Sequence, residues 1–276
     1  MRIEETTNRS LRHELSAHIR FFGDYVKANF LSALEYRVTF ISQLFGMLLN
    51  DAMWIVFWWI YFTKFQVIGQ GWRMEDMLAL WATAGVAFGL SVACFGNLLR
   101  LAQMISQGDL DYYLALPKNV LMHVLVSRME INAWSDLLFG TGLFVIFVHP
   151  GIGQIALFLG LSLCAAVVFL SATLIWQSLA FWLGNAEGLA AQMWNAMILF
   201  GTYPTPLFQG AVKVVIFTAL PAAFMTHVPA QLLRRFDLTW FIAEIGIAVG
   251  TLALAIWIFY RGLRRYESGN LMLMRS

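Results

Sequence analysis

Charge is scarce in this sequence. Lys and Arg total 18 and Asp and Glu 16 among 276 residues, 12% of the chain, about half the share usual in soluble domains. With 60% hydrophobic residues and a mean hydropathy of +0.69, the chain carries more apolar surface than one soluble core can cover. The net charge of +2 is spread over short polar segments, which gives no basic tract for nucleic acid and no acidic tail. The two cysteines, Cys94 and Cys164, lie inside apolar runs. A thiol there acts as a small hydrophobe, and such a pair makes neither a disulfide framework nor a metal site. No G-x-x-x-x-G-K-[ST] phosphate cradle and no G-x-S-x-G elbow occur, so the sequence offers neither nucleotide hydrolysis of that type nor a hydrolase nucleophile. His13-Glu14 and His18 have the spacing H-E-x-x-x-H, which on a helix turns the second imidazole about 140° from the first and excludes a shared zinc. His123, His149 and His227 are isolated in the sequence. The first 37 residues hold no short apolar core ending at a small-residue site, so no removable signal peptide is expected.

What is present is a series of apolar runs near the length a helix needs, roughly 20 residues, to cross the hydrocarbon of a bilayer. Six spanning helices are predicted, at 38–63, 77–99, 131–149, 153–183, 189–208 and 239–261, making an all-α integral membrane protein; the fourth is overlong and is expected to tilt. Before them, Leu11, Leu15, Ile19, Phe22, Val26 and Phe30 recur every three or four positions among charged residues. That spacing predicts an N-terminal amphipathic helix lying on the membrane surface within residues 1–37. Trp54, Trp58, Trp59 and Tyr61 crowd the far end of the first span, as amphipathic rings do at a membrane interface.

Orientation follows from Lys and Arg. With the N-terminus cytoplasmic, thirteen of them lie inside and only Lys64, Arg73, Lys213, Arg234 and Arg235 outside, which places both termini in the cytoplasm. Segment 209–238 is interrupted by Pro221 and Pro229. A seventh span here would reverse the C-terminal arginines, so the segment is expected to dip into the outer leaflet and return as a re-entrant hairpin. Residues 38–261 then form one transmembrane domain and 262–276 a cytoplasmic tail.

Polar residues within the runs are the candidate functional positions. Asn50 and Asp51 fall near the middle of the first span, where a carboxylate costs about 2.5–3.5 kcal/mol on insertion scales and so faces a bundle interior or a wet cavity. They are candidates for a transport pathway or for an interhelical hydrogen bond that fixes packing. Arg128, Glu130 and Asp136 at the start of the third span and Glu244 in the sixth read as solvated or paired interface charges. Gly85 and Gly89, with Ala93, and likewise Gly246 and Gly250, form small-residue ridges that admit a close helix, from the same bundle or across a dimer seam.

Between the second and third spans, Arg100 to Lys118 contains an amphipathic turn, a Gly108-Asp109-Leu110-Asp111 break and a short apolar stretch stopped by Leu116-Pro117. By itself this suits an exposed turn. The pattern also resembles the cytoplasmic coupling helix of permeases in the ABC type-2 exporter family, as do Tyr203-Pro204 with the proline-rich region after it, and the closing Arg265-Tyr266-Glu267-Ser268-Gly269-Asn270. The resemblance implies a permease subunit of a bacterial inner-membrane exporter that pairs with a second permease, identical or homologous, and docks two cytoplasmic ATPases through Gln107, Asp109, Leu110, Asp111, Leu116 and Pro117. ATP and magnesium would then be bound by the partner ATPase and no cofactor by this chain, which is not itself an enzyme. Two other readings use the same acids: a polytopic membrane enzyme built on Asp51, Glu130 or Asp136, and a proton-coupled carrier. Spacing supplies no catalytic set for the first, and no inverted halves stand out for the second.

The charge count can be checked by fusion. A fluorescent protein at the C-terminus is expected to fluoresce, and alkaline phosphatase inserted after Phe236 to be active; the reverse pattern would put the C-terminus outside and overturn the expected orientation.

Overall fold

The computed structural model describes residues 20–32, 34–35, 37–69, 71–117 and 119–266. Leu11, Leu15, Ile19, His13, Glu14, His18, Lys118 and the closing Glu267 to Asn270 lie outside the described residues. Within them the chain is all-helical, with one isolated bridge between Ile68 and Trp72. A first helix, α1, covers residues 20–32. It is followed by α2 (Arg37–Lys64), α3 (Met74–Phe95), α4 (Leu101–Gln107), α5 (Leu110–Leu114), α6 (Val120–Val126), α7 (Ala133–Val148), α8 (Ile152–Ser178), α9 (Ala180–Leu183), α10 (Glu187–Gly201), α11 (Gly210–Phe217), α12 (Val228–Arg234) and α13 (Leu238–Leu263).

Four helical stretches are long and apolar enough to cross a membrane: Arg37–Lys64, Met74–Gln107, Ile152–Leu183 and Leu238–Leu263. Two of the six expected spans are shorter as helices. α7 has 16 residues and α10 has 15, roughly 24 and 22 Å of rise. For α7 the reason is local. The preceding residues leave helical geometry and hang on α3, with the Asn97 N–H donating to the Arg128 carbonyl at 2.9 Å and the Glu130 N–H to the Val92 carbonyl at 3.4 Å. Those carbonyls and N–H groups are satisfied by another helix, the condition under which irregular backbone survives at depth. The second expected span differs in the other direction, running 34 residues to Gln107. A 3₁₀ turn at Gly96–Arg100 passes straight into α4, and only Gly108, at φ +85°, turns the chain, as a left-handed residue after a helix does.

α3 is the hub. It is mostly buried, packing on α7 and α8, while α8 packs on α13. Facing α7, α3 presents the glycines singled out in the sequence: a Cβ on Gly89 would stand 2.7 Å from the Leu137 backbone nitrogen, and one on Gly85 2.9 Å from the Asp136 carbonyl oxygen. Gly140 of α7 returns the contact, its Cβ position lying 2.5 Å from the Ala82 carbonyl oxygen. Gly246 and Gly250, in contrast, have no atom within 4 Å of a Cβ, so no helix among the described residues approaches them closely. α2 buries only Asp51 and Trp58, and leaves residues such as Val38, Ile41, Phe45 and Met53 exposed, an arrangement suited to lipid or a second membrane chain.

The described part of α1 does not stand apart from the bundle. Phe21 packs on His123 and Phe22 on Phe95, and the Asn29 side-chain oxygen accepts from the Met129 N–H at 3.3 Å. Phe30, at the end of the expected face, is exposed and touches Phe40 of α2. Segment 209–238 is helical at both ends, α11 and α12, around a buried stretch from Leu220 to Thr226. Pro229 cannot donate, and its ring would crowd the carbonyl one turn back. The chain widens before it, with the Val228 N–H reaching the Ala223 carbonyl in a π-turn over Ala223–His227. Arg234 closes the segment by pairing with Asp76 at 3.3 Å, and Asp76 also caps α3 by accepting the Arg73 N–H at 2.8 Å.

The glycine contact gives a contrast in stability. Gly140→Val overpacks α7 against α3 backbone, at about 1–3 kcal/mol, and is expected to lower the apparent melting temperature of the detergent-solubilised protein by several degrees, whereas Gly246→Val and Gly250→Val are expected to leave it unchanged.

Candidate functional site

Drawing α7 onto α3 places Asp136, in the first turn of α7, level with the middle of α3 rather than at a membrane surface. α2 packs on the same α7 and contributes Asp51. The two carboxyl groups lie close enough to interact electrostatically, with Asn50 beside Asp51. Asp51 is 7% and Asp136 6% exposed, and the Oδ2 atom of each has no hydrogen-bond partner. The interface reading of Asp136 is therefore corrected: it is a buried acid paired with another. Nothing in the local sequence signals this, because the pairing depends on how closely α7 can approach α3.

Both acids line a cavity of about 550 Å³ between α2, α3, α7, α10 and the π-turn. Its other walls are aromatic. Trp54 stacks on Trp81 with centroids 5.6 Å apart, Phe88 lies 5.9 Å from Trp194, and Tyr203 meets Trp54 and Trp58 edge-on. Met225 of the π-turn reaches the cavity as well. The buried indole N–H groups of Trp81 and Trp194 have no acceptor. No Lys or Arg is among the lining residues. Of the ring cluster assigned from sequence to the membrane interface, Trp59 is exposed, but Trp58 is buried and Trp54 turns into the cavity. Spacing along α2 separates these faces, and the aromatic count alone hid the difference.

A second group of residues surrounds the break at Gly108. Gln107 ends α4 and is exposed, as are Asp109 and Pro117; Leu116 is half-buried; Leu110 is fully buried and roots α5 in the core. Tyr112 and Leu114 point outward, 67% and 43% exposed. Asp111 lies beside Tyr266, whose hydroxyl is pushed above its ordinary range first by burial and then by that carboxylate. The break and the start of the C-terminal motif, far apart in sequence, thus meet.

Two polar side chains that sequence reading passed over hold this region to the bundle. Gln177 of α8 accepts the Ala102 N–H at 2.9 Å and donates to the Leu99 carbonyl at 3.0 Å, satisfying backbone groups that the 3₁₀ turn releases. Asn97 donates to the Val124 carbonyl and the Ser127 hydroxyl, both at 2.7 Å. Their signal was available: an amide inside an apolar run needs a partner. Glu244 is also not an interface charge. It is fully buried in α13, and neither carboxyl oxygen has a hydrogen-bond partner. Arg128 and Glu130 do pair, at 3.3 Å. Among the described residues no group of acidic, His and Cys side chains could hold a metal ion.

Residues 48–269, which include both polar groups and all four long helices in whole or large part, match the ABC-2 family transporter protein family. The chain belongs to that family. It is accordingly a membrane permease component of an ABC transporter, a subunit distinct from the nucleotide-binding domain, and its family implies partnership with an ABC ATPase. No curated protein and no solved structure gave a match to it.

For this ABC-2 permease the amide brackets yield a direct expectation. Gln177→Leu keeps the packing volume but strands the Ala102 N–H and the Leu99 carbonyl, a loss of about 1–3 kcal/mol. Hydrogen exchange at residues 99–104 is expected to accelerate more than tenfold while α13 is unaffected.

Proposed function

We propose that this permease is half of an ATP-driven exporter, with six membrane crossings, both termini in the cytoplasm of a bacterial cell and segment 209–238 re-entrant from the outer face. Two ATPase subunits, which bind the ATP and magnesium, dock on two permease chains, of one kind or of two. The observation that carries the coupling assignment is the α4–α5 elbow. Leu110 anchors it, while Asp109, Tyr112 and Leu114 face outward where a partner can grip them. Movement of such a grip is passed to α8 through Gln177 and to α6 through Asn97, because each amide makes at least one direct bond to backbone. ATP-dependent closure of the partner then biases the bundle between two arrangements, as any ligand with unequal affinity for two states does.

Family membership favours this over the enzyme and proton-carrier readings, which share the acids but need no ATPase. The Asn50, Asp51 and Asp136 group belongs to the cargo pathway in this reading, and the Gly246 and Gly250 face of α13 is free for lipid or another chain.

The test is affinity purification of the tagged chain from native membranes in mild detergent. A nucleotide-binding ATPase is expected at near-stoichiometric amount, and its absence under still gentler extraction would sink the proposal. Replacing Asp109 and Asp111 together by Lys is expected to leave insertion intact and cut ATPase recovery at least tenfold. Asp51→Leu should retain the ATPase and lose transport.

A further inference from the structure

The cavity between α2 and α7 has an electrostatic peculiarity. Two acids face it, no base lines it, and one oxygen of each acid is buried without a partner. Buried carboxylates are stabilised by a cation or by hydrogen bonds, and leaving them unanswered in a low-dielectric site is costly. A cation seated between Asp51 and Asp136 would answer both unpartnered oxygens at once.

The rest of the wall fits the same ligand. Trp54, Trp81, Phe88, Phe139, Trp194 and Tyr203 surround the acids, and the faces of aromatic rings attract a desolvated cation by about 2 kcal/mol or more. Methionines 47 and 225 add soft, adaptable surface. A volume of about 550 Å³ lies within the usual range for sites that enclose a drug-sized molecule. A lipid tail or neutral hydrophobe would fill the aromatic part and leave both acids unanswered. An anion would be repelled.

We infer that this cavity is a binding site for a lipophilic organic monocation, an amine or onium centre held between Asp51 and Asp136 with its apolar substituents against the aromatic walls. As the cargo class of the permease, this rests on the exporter reading given above; as a binding site, it stands without it. An acceptor atom on the cargo would also answer the Trp81 and Trp194 N–H groups, but charge is the discriminating feature.

The test separates the two. The intact permease in lipid nanodiscs is titrated with tetraphenylphosphonium and with tetraphenylborate, ions of one shape and opposite charge, following tryptophan fluorescence and subtracting empty discs. Saturable quenching by the phosphonium, at least tenfold tighter than by the borate, is expected. The double variant Asp51→Asn, Asp136→Asn should lose at least tenfold in phosphonium affinity while its recovery of ATPase is unchanged. Equal response to both ions in the natural protein, which depends on no variant folding, overturns the inference. So does undiminished phosphonium binding by the double variant. Failure to recover any ATPase while phosphonium still binds selectively would sink the exporter proposal and leave the site standing.

Discussion

The contact on which this structure depends is the near touch of two helix backbones, α3 and α7, through Gly85, Gly89 and Gly140. In lipid, helices gain nothing by hiding apolar side chains from one another, so close backbone approach and its dispersion energy must hold them. The approach also decides where the polar residues end up. It carries Asp136 to the depth of Asp51, and it leaves between α2 and α10 a space that side chains do not fill. A bundle with larger residues at these positions would hold the two acids at different places and could not form the pair.

Around that contact, the remaining polar groups act as ties. Gln177 binds backbone atoms freed where α3 changes to a 3₁₀ turn, Asn97 of that turn binds the Val124 carbonyl of α6, and Arg234 binds Asp76 where α3 begins. On the opposite margin the Asp237 side chain caps α13 by accepting from Thr239 and Trp240, worth about 1 kcal/mol. Each tie is placed where regular helix geometry stops. The interior between them is mostly apolar, with the Ser91 hydroxyl bonding the Ala166 carbonyl of α8 and the buried acids Asp51, Asp136 and Glu244 as its exceptions.

Much of the architecture was legible in the sequence because bilayer thickness imposes a length on apolar runs. α2, α8 and α13 lie where the hydropathy put them, and Gly108 breaks the chain where the motif suggested. Three things were not legible. The 3₁₀ passage at Gly96–Arg100 extends α3 to Gln107 because a glycine in helical conformation carries no stop signal of its own. The division of the α2 aromatics between lipid and cavity depends on which neighbours surround that helix, and Trp54 and Trp59 look alike in composition. Most of all, the partners of Asp51 and the burial of Glu244 are facts about distance across the fold. A sequence shows that such acids need an environment; it does not show which residues supply it.

The helical run from Met74 to Gln107 has a mechanical meaning. Its 34 residues, α3 joined to α4 through the 3₁₀ turn, form a rod that is stiff along its axis, so a push at the α4 end is passed to α3 chiefly as tilt. The glycine contact at Gly85 and Gly89 is the natural fulcrum, since there the rod is pinned backbone to backbone. The arm toward α4 is the longer, about 20 residues of rise against about 13 on the Met74 side. Displacement at the Met74 tip is therefore roughly two-thirds of that applied at the α4 tip, and the force there is correspondingly larger. Trp81 sits on the short arm, against the cavity. A leverage of this kind trades travel for force where the aromatic wall must be prised from whatever it holds.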